Sequence, residues 1–63
     1  MKLIRFGEIN KEKPGILLEN NKKLDVSSFI KDYDEEFFGN DGIIKLRNWL
    51  GNNQDKCPII GNN

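Results

Sequence analysis

Apolar residues along this chain fall into short runs between polar and glycine-containing spacers, and only one stretch shows helical periodicity. Leu3-Ile4-Arg5-Phe6 is brief, apolar and stopped by Gly7, which predicts a strand rather than a helix. Glu8 to Lys13 is polar apart from Ile9 and reads as a loop. Pro14, with its fixed φ and missing N–H, belongs at the start of a strand or on a sheet edge, and Gly15 beside it permits a bulge. Ile16-Leu17-Leu18 is the continuous apolar run of a strand covered on both faces or entering a crowded core. Glu19-Asn20-Asn21-Lys22 has the composition of a tight turn, because Asn tolerates positive φ. Leu24 and Val26 then alternate with Lys23 and Asp25, so residues 14–26 are expected to form a hairpin.

Beyond the hairpin, Ser27 or Ser28 is placed to cap a short helical turn through Phe29-Ile30. Lys31 to Glu36 reads as an exposed acidic segment broken by Tyr33, after which Phe37-Phe38 returns to the core. Gly39-Asn40-Asp41-Gly42 is a turn supplying Asn40 or Asp41 as a helix cap. Ile43, Leu46 and Leu50 recur at helical spacing, with Ile44 and Trp49 widening the stripe. A helix is therefore expected over residues 42–50, ending at Gly51 in a left-handed C′ position. Cys57-Pro58-Ile59-Ile60 is a last extended segment, and Gly61-Asn62-Asn63 reads as a stub. The fold class is α+β: a small three- to four-stranded antiparallel sheet with one main C-terminal helix and a short helical turn, all in one domain over residues 1–63.

Composition narrows what such a domain can do. A chain of 63 residues buries only about 60% of the surface its unfolded form exposes, so its stability is small. Cys57 is the single cysteine and there is no histidine, so neither an internal disulfide nor a structural zinc site is available. Ten Lys/Arg balance ten Asp/Glu, which removes the field that draws in nucleic acid. No apolar stretch approaches the roughly 20 residues of a membrane span, and the start of the chain lacks the apolar core of a signal peptide. A lone thiol without an export signal points to a cytoplasmic location.

Each group that could carry chemistry has a structural use. Asp32, Asp34, Glu35 and Glu36 are acidic, but Tyr33 interrupts them and Phe37-Phe38 follows, unlike a calcium-binding loop. Cys57 has no histidine to activate it and reads as a small packed side chain. Ser27-Ser28 lacks the glycines of a nucleophile elbow and is expected to cap a helix. Gly39 to Gly42 lacks the spacing and the lysine of a phosphate loop, and Asp41 would repel an anion. Lys2, Arg5 and Lys13 near Phe6 could suggest a nucleic-acid surface, but Glu8, Glu12 and Glu19 cancel their charge. Trp49 and the Phe pair are expected as core, with Trp49 the anchor. No catalytic, cofactor-binding or metal-ligating residue is therefore expected. Ile16-Leu17-Leu18, Phe37-Phe38 and Ile59-Ile60 place apolar side chains on both sides of their segments, so one apolar face should remain to be covered.

The order of Leu3-Ile4-Arg5-Phe6-Gly7, Lys13-Pro14-Gly15, Asp25-Val26-Ser27 and Gly42-Ile43-x-x-Leu46 resembles the small N-terminal domain of bacterial fumarylacetoacetate hydrolase family proteins. The resemblance runs from Met1 to about Ile60. It implies an accessory domain that packs on a larger C-terminal catalytic domain and helps shape the dimer or the rim of the active site. Proteins of that family include acylpyruvate hydrolases, diketo-deoxy-acid hydrolases, hydroxyheptadienedioate isomerases and ureidoglycolate lyase-like proteins. They act on β-diketo acids with Mg²⁺ or another divalent cation, held by Glu-x-Glu and Asp in the catalytic domain, and none of those ligands maps onto a residue here. The expected partners are the chain's own catalytic domain and further subunits of a homo-oligomer, with neither nucleic acid nor membrane. A free-standing α+β protein-interaction module is the alternative reading.

Overall fold

Three short strands carry the expected hairpin and one more strand in front of it. The computed structural model describes residues 1–61, so Asn62 and Asn63 of the expected stub lie outside the described residues. Strands β1 (Lys2–Phe6), β2 (Lys13–Leu17) and β3 (Lys23–Asp25) form an antiparallel sheet in the order β1-β2-β3. Helices α1 (Glu35–Gly39) and α2 (Gly42–Asn53) follow, and a 3₁₀ turn at Gln54–Lys56 extends α2. The segment after it bridges β3 through Leu24 and Ile59, so the sheet has three strands and the beginning of a fourth.

Local chemistry explains the hairpin. Asn21 adopts φ 67° in its turn, its N–H donates to the Leu18 carbonyl at 3.0 Å, and the Asn20 side chain accepts from Lys22 N–H at 3.0 Å. Gly15 forms no bulge, since the register runs unbroken past it. It is needed for space: a Cβ there would lie 3.0 Å from the Leu24 carbonyl oxygen and 3.1 Å from the side chains of Phe6 and Ile60. Pro14 is the second residue of the central strand, at its entry as expected and not on an edge. Its carbonyl accepts from Val26 N–H at 3.2 Å, and it has no N–H to return. The Val26 carbonyl turns to Phe29 and Ile30 instead, accepting from their N–H groups at 3.0 and 2.9 Å. The donor missing at Pro14 is thus compensated by the turn that leads the chain off the sheet.

That turn corrects the expected serine cap. Ser27 and Ser28 are exposed, and the side chain at the turn is Asp25, whose Oδ1 accepts from Ser27 N–H at 2.8 Å. The acidic stretch is exposed as expected, apart from Tyr33, and its end starts a helix. Asp34 accepts from Phe37 N–H at 2.9 Å and caps α1, with Glu35 and Glu36 in its first turn, where negative charge favours a helix start. Tyr33 is buried, and of the Phe pair only Phe37 enters the core while Phe38 stays exposed. One turn of helix can send only one of two adjacent residues inward.

Helix α2 starts where expected, with Asp41 at the N-cap position, but Asp41 adopts φ 57° and makes no side-chain capping bond. The helix does not stop at Gly51. It runs to Asn53, Gln54 N–H still donates to the Leu50 carbonyl, and the Asn53 side chain donates to the Trp49 carbonyl at 2.8 Å. The extra turn carries Cys57 into the core and brings Pro58–Ile60 to β3, where Asp25 N–H donates to Pro58 O and Ile60 N–H to Lys23 O.

The core lies on one face of the sheet. Ile16, Leu24 and Val26 contribute from the hairpin, Ile30, Tyr33 and Phe37 from the connection, and Leu46, Leu50 and Cys57 from α2 and beyond. Leu46 is fully buried, whereas Trp49 only packs against the core from its rim. The expected tryptophan anchor is therefore a leucine. Trp49 stacks on the partly exposed Phe29, with ring centroids 4.7 Å apart and planes 8° from parallel.

Candidate functional site

Polar side chains gather where β1 meets the connection before α1. Arg5 follows from β1 alternation, since Leu3 and Arg5 share the face that carries Ile16 and Pro14 across the register. Arg5 Nη2 donates to the Tyr33 carbonyl at 2.9 Å, and its Nε lies 3.4 Å from Asp32 Oδ1. Asp32 Oδ1 also accepts from Tyr33 N–H at 2.8 Å. The Tyr33 hydroxyl passes under the sheet and donates to the Gly15 carbonyl. This cluster ties β1, β2 and the connection together. No buried side-chain polar atom among the described residues lacks a hydrogen-bond partner, so none is left over to seek a ligand.

Burial pushes the Tyr33 phenol up to about 12, with the Arg5 cation opposing the rise. A raised folded-state value means that Tyr33 stabilises the fold fully below its ordinary pKa of 10, and that this contribution is lost as pH rises toward 12. This rise corresponds to about 2–3 kcal/mol. The urea midpoint should therefore fall between pH 10 and 12, and Tyr33→Phe should start lower but lose less across that window. An equal alkaline loss in the variant would assign the effect to other groups.

Two of the four acidic candidates are already engaged: Asp32 with Arg5 and Tyr33, Asp34 with the start of α1. Among the described residues, no three His, Cys, Asp or Glu side chains come together as a metal site would need. Cys57 is buried, and its Sγ lies 3.4 Å from the Asn53 carbonyl oxygen. Burial, assisted by the Asp25 carboxylate, pushes its thiol pKa up, away from the reactive thiolate. Gly42 lies against α1, where a Cβ would come 2.3 Å from the Phe37 carbonyl oxygen, so the Gly39–Gly42 turn is a packing junction.

Two open depressions flank the α1 region. One, of about 310 Å³, has Phe29, Ile30 and Phe37 among its lining residues and a mixed rim that includes Lys31, Lys45 and Asp34. The other, of about 500 Å³, lies beside β1 among Leu3, Ile4, Arg5, Tyr33 and the exposed Phe38. Sequence reading missed both, because they depend on how the connection folds back under β1. The opposite face of the sheet carries Ile4, Phe6 and Leu17, half-buried and interspersed with Lys2, Lys13 and Lys23. No helix among the described residues is long and apolar enough to cross a membrane. No family model, no curated protein and no solved structure matches this chain.

Proposed function

We propose that this chain is the N-terminal structural domain of a fumarylacetoacetate hydrolase family enzyme, and that by itself it performs no chemistry. The observation that carries the reading is the order and spacing of its four motif segments. Each also has a structural use. Leu3 to Phe6 fall within β1, Pro14-Gly15 shape the central strand, Asp25-Val26-Ser27 close the turn, and Gly42 and Leu46 seat α2. In this reading the complete enzyme cleaves or isomerises β-diketo acids in the cytoplasm, and its divalent cation is held in a catalytic domain outside these residues. Among the described residues Asp34 is engaged in the cap and Asp32 in the Arg5 cluster, and no three carboxylates gather to hold that ion.

The direct test is the reading frame downstream of Asn63. It should continue into a Gly-x-Asn-Tyr-like segment and a Glu-x-Glu pair, and a frame that closes at once would leave the interaction-module reading in its place. The purified chain with Mg²⁺ should turn over acylpyruvates no faster than a boiled control. It should also show no Mg²⁺-dependent rise in Tm, since a bound ion would stabilise the fold by mass action. Metal-dependent turnover by this chain would refute the structural role.

A further inference from the structure

The two edges of the sheet are finished differently. Beyond β3, Pro58 and Ile60 pair with Asp25 and Lys23, so that edge is covered, and it ends in a segment containing a proline. The other edge is β1. In an antiparallel ladder the N–H and C=O of one residue point to the same side, and successive residues alternate sides. Pro14 and Leu18 exchange bonds on the β3 side, accepting from Val26 N–H and donating to Lys22 O respectively. Gly15 and Leu17 therefore face β1, where they oppose Ile4 and Lys2, and Lys13 likewise opposes Phe6. That leaves the backbone groups of Leu3 and Arg5 pointing away from the sheet, and nothing among the described residues bonds to them. The edge has neither a proline nor a bulge. Of its two cations, Arg5 is drawn to Asp32 and Tyr33, which leaves Lys2, at the strand's first position, as the charge that guards this edge.

We infer that this edge pairs with the same edge of a second copy of the chain, β1 against β1, antiparallel about a two-fold axis at Ile4. Centred there, Leu3 stands opposite Arg5 of the second copy, and the outward N–H and C=O groups of each meet those of the other. Every free ladder group of β1 is then paired. On the outer face Ile4 meets its own symmetry mate, and Lys2 stands opposite Phe6 of the second copy, where a cation can lie against an aromatic ring. No like charges oppose one another. A register centred on Arg5 would set arginine against arginine, and one centred on Leu3 would carry Arg5 beyond the strand to Met1. A shift by one residue would turn outward groups of one copy onto inward groups of the other. The self-complementary register is therefore a single one. It joins two three-stranded sheets into one and brings together the half-buried apolar residues of both outer faces. The inference does not rest on the family reading, which the downstream frame tests separately.

Amide hydrogen exchange by NMR, run beside sedimentation equilibrium over a concentration series, tests the pairing. The chain should pass from monomer to dimer as concentration rises. As it does, Leu3 and Arg5 amides should slow by roughly tenfold or more, while those of Ile4 and Phe6 are protected throughout. Ile4→Lys, which opposes like charges at the axis without touching the core, should keep the wild-type spectrum outside β1 and remain monomeric. A monomer at every concentration would overturn the inference. So would a dimer in which Leu3 and Arg5 exchange freely, or one that Ile4→Lys leaves intact. If Ile4→Lys does not fold, the wild-type exchange pattern decides alone.

Discussion

Gly42→Ala should unfold most of the population at room temperature. Its added Cβ would stand 2.3 Å from the Phe37 carbonyl oxygen and 2.5 Å from the Phe37 ring, and the oxygen belongs to backbone that no rotamer change can move aside. Either α1 and α2 separate or Phe37 leaves the core, and such overpacking costs about 3 kcal/mol or more. A chain of 63 residues has a total stability of roughly 3–9 kcal/mol, with the small size favouring the low end. Gly51→Ala is the control on the same helix. Nothing lies within 4 Å of its Cβ position, so alanine should stabilise by about 0.5–1 kcal/mol through helix propensity. Urea titrations followed by circular dichroism measure both. A cooperatively folded Gly42→Ala variant near wild-type stability would mean that the α1–α2 junction is looser than the structure has it.

Leu46→Ala should cost more than Trp49→Ala, although tryptophan is the larger side chain. Leu46 is fully buried among core residues, and truncation there combines lost burial with a cavity, about 3–4 kcal/mol. Trp49 lies half-buried at the rim on Phe29, so solvent can fill the space it vacates, and its loss should cost about 2 kcal/mol. Wild-type tryptophan fluorescence should accordingly be that of a partly solvated indole. The reverse order of the two destabilisations would return Trp49 to the central position that helical spacing alone suggests.

Periodicity placed the strands, the Asn turn and the start of α2, because each depends on neighbours a few residues apart. Alternation at Leu24 and Val26, positive φ at Asn21 and the Leu46–Leu50 part of the stripe are local facts that the structure reproduces, whereas Ile43 and Ile44 of the same stripe stay exposed. The resemblance to a family rests on the same local segments. The candidate surfaces were less legible. Tyr33 reads only as a break in an exposed acidic segment, and the Gly15 carbonyl that its hydroxyl finds comes from a distant part of the chain. Gly51 reads as a helix stop, yet the chain must continue another turn to deliver Cys57 to the core and Pro58–Ile60 to β3. Ser27 reads as a cap, yet the carbonyl freed opposite Pro14 organises that turn. By itself, then, the sequence determined which segments extend and where the main helix begins. Only the tertiary structure decided which of Leu46 and Trp49 is the anchor, which Phe of the pair is buried, and which sheet edge stays open. These outcomes turn on hydrogen-bond partners and packing contacts between residues far apart along the chain, which short-range patterns do not encode.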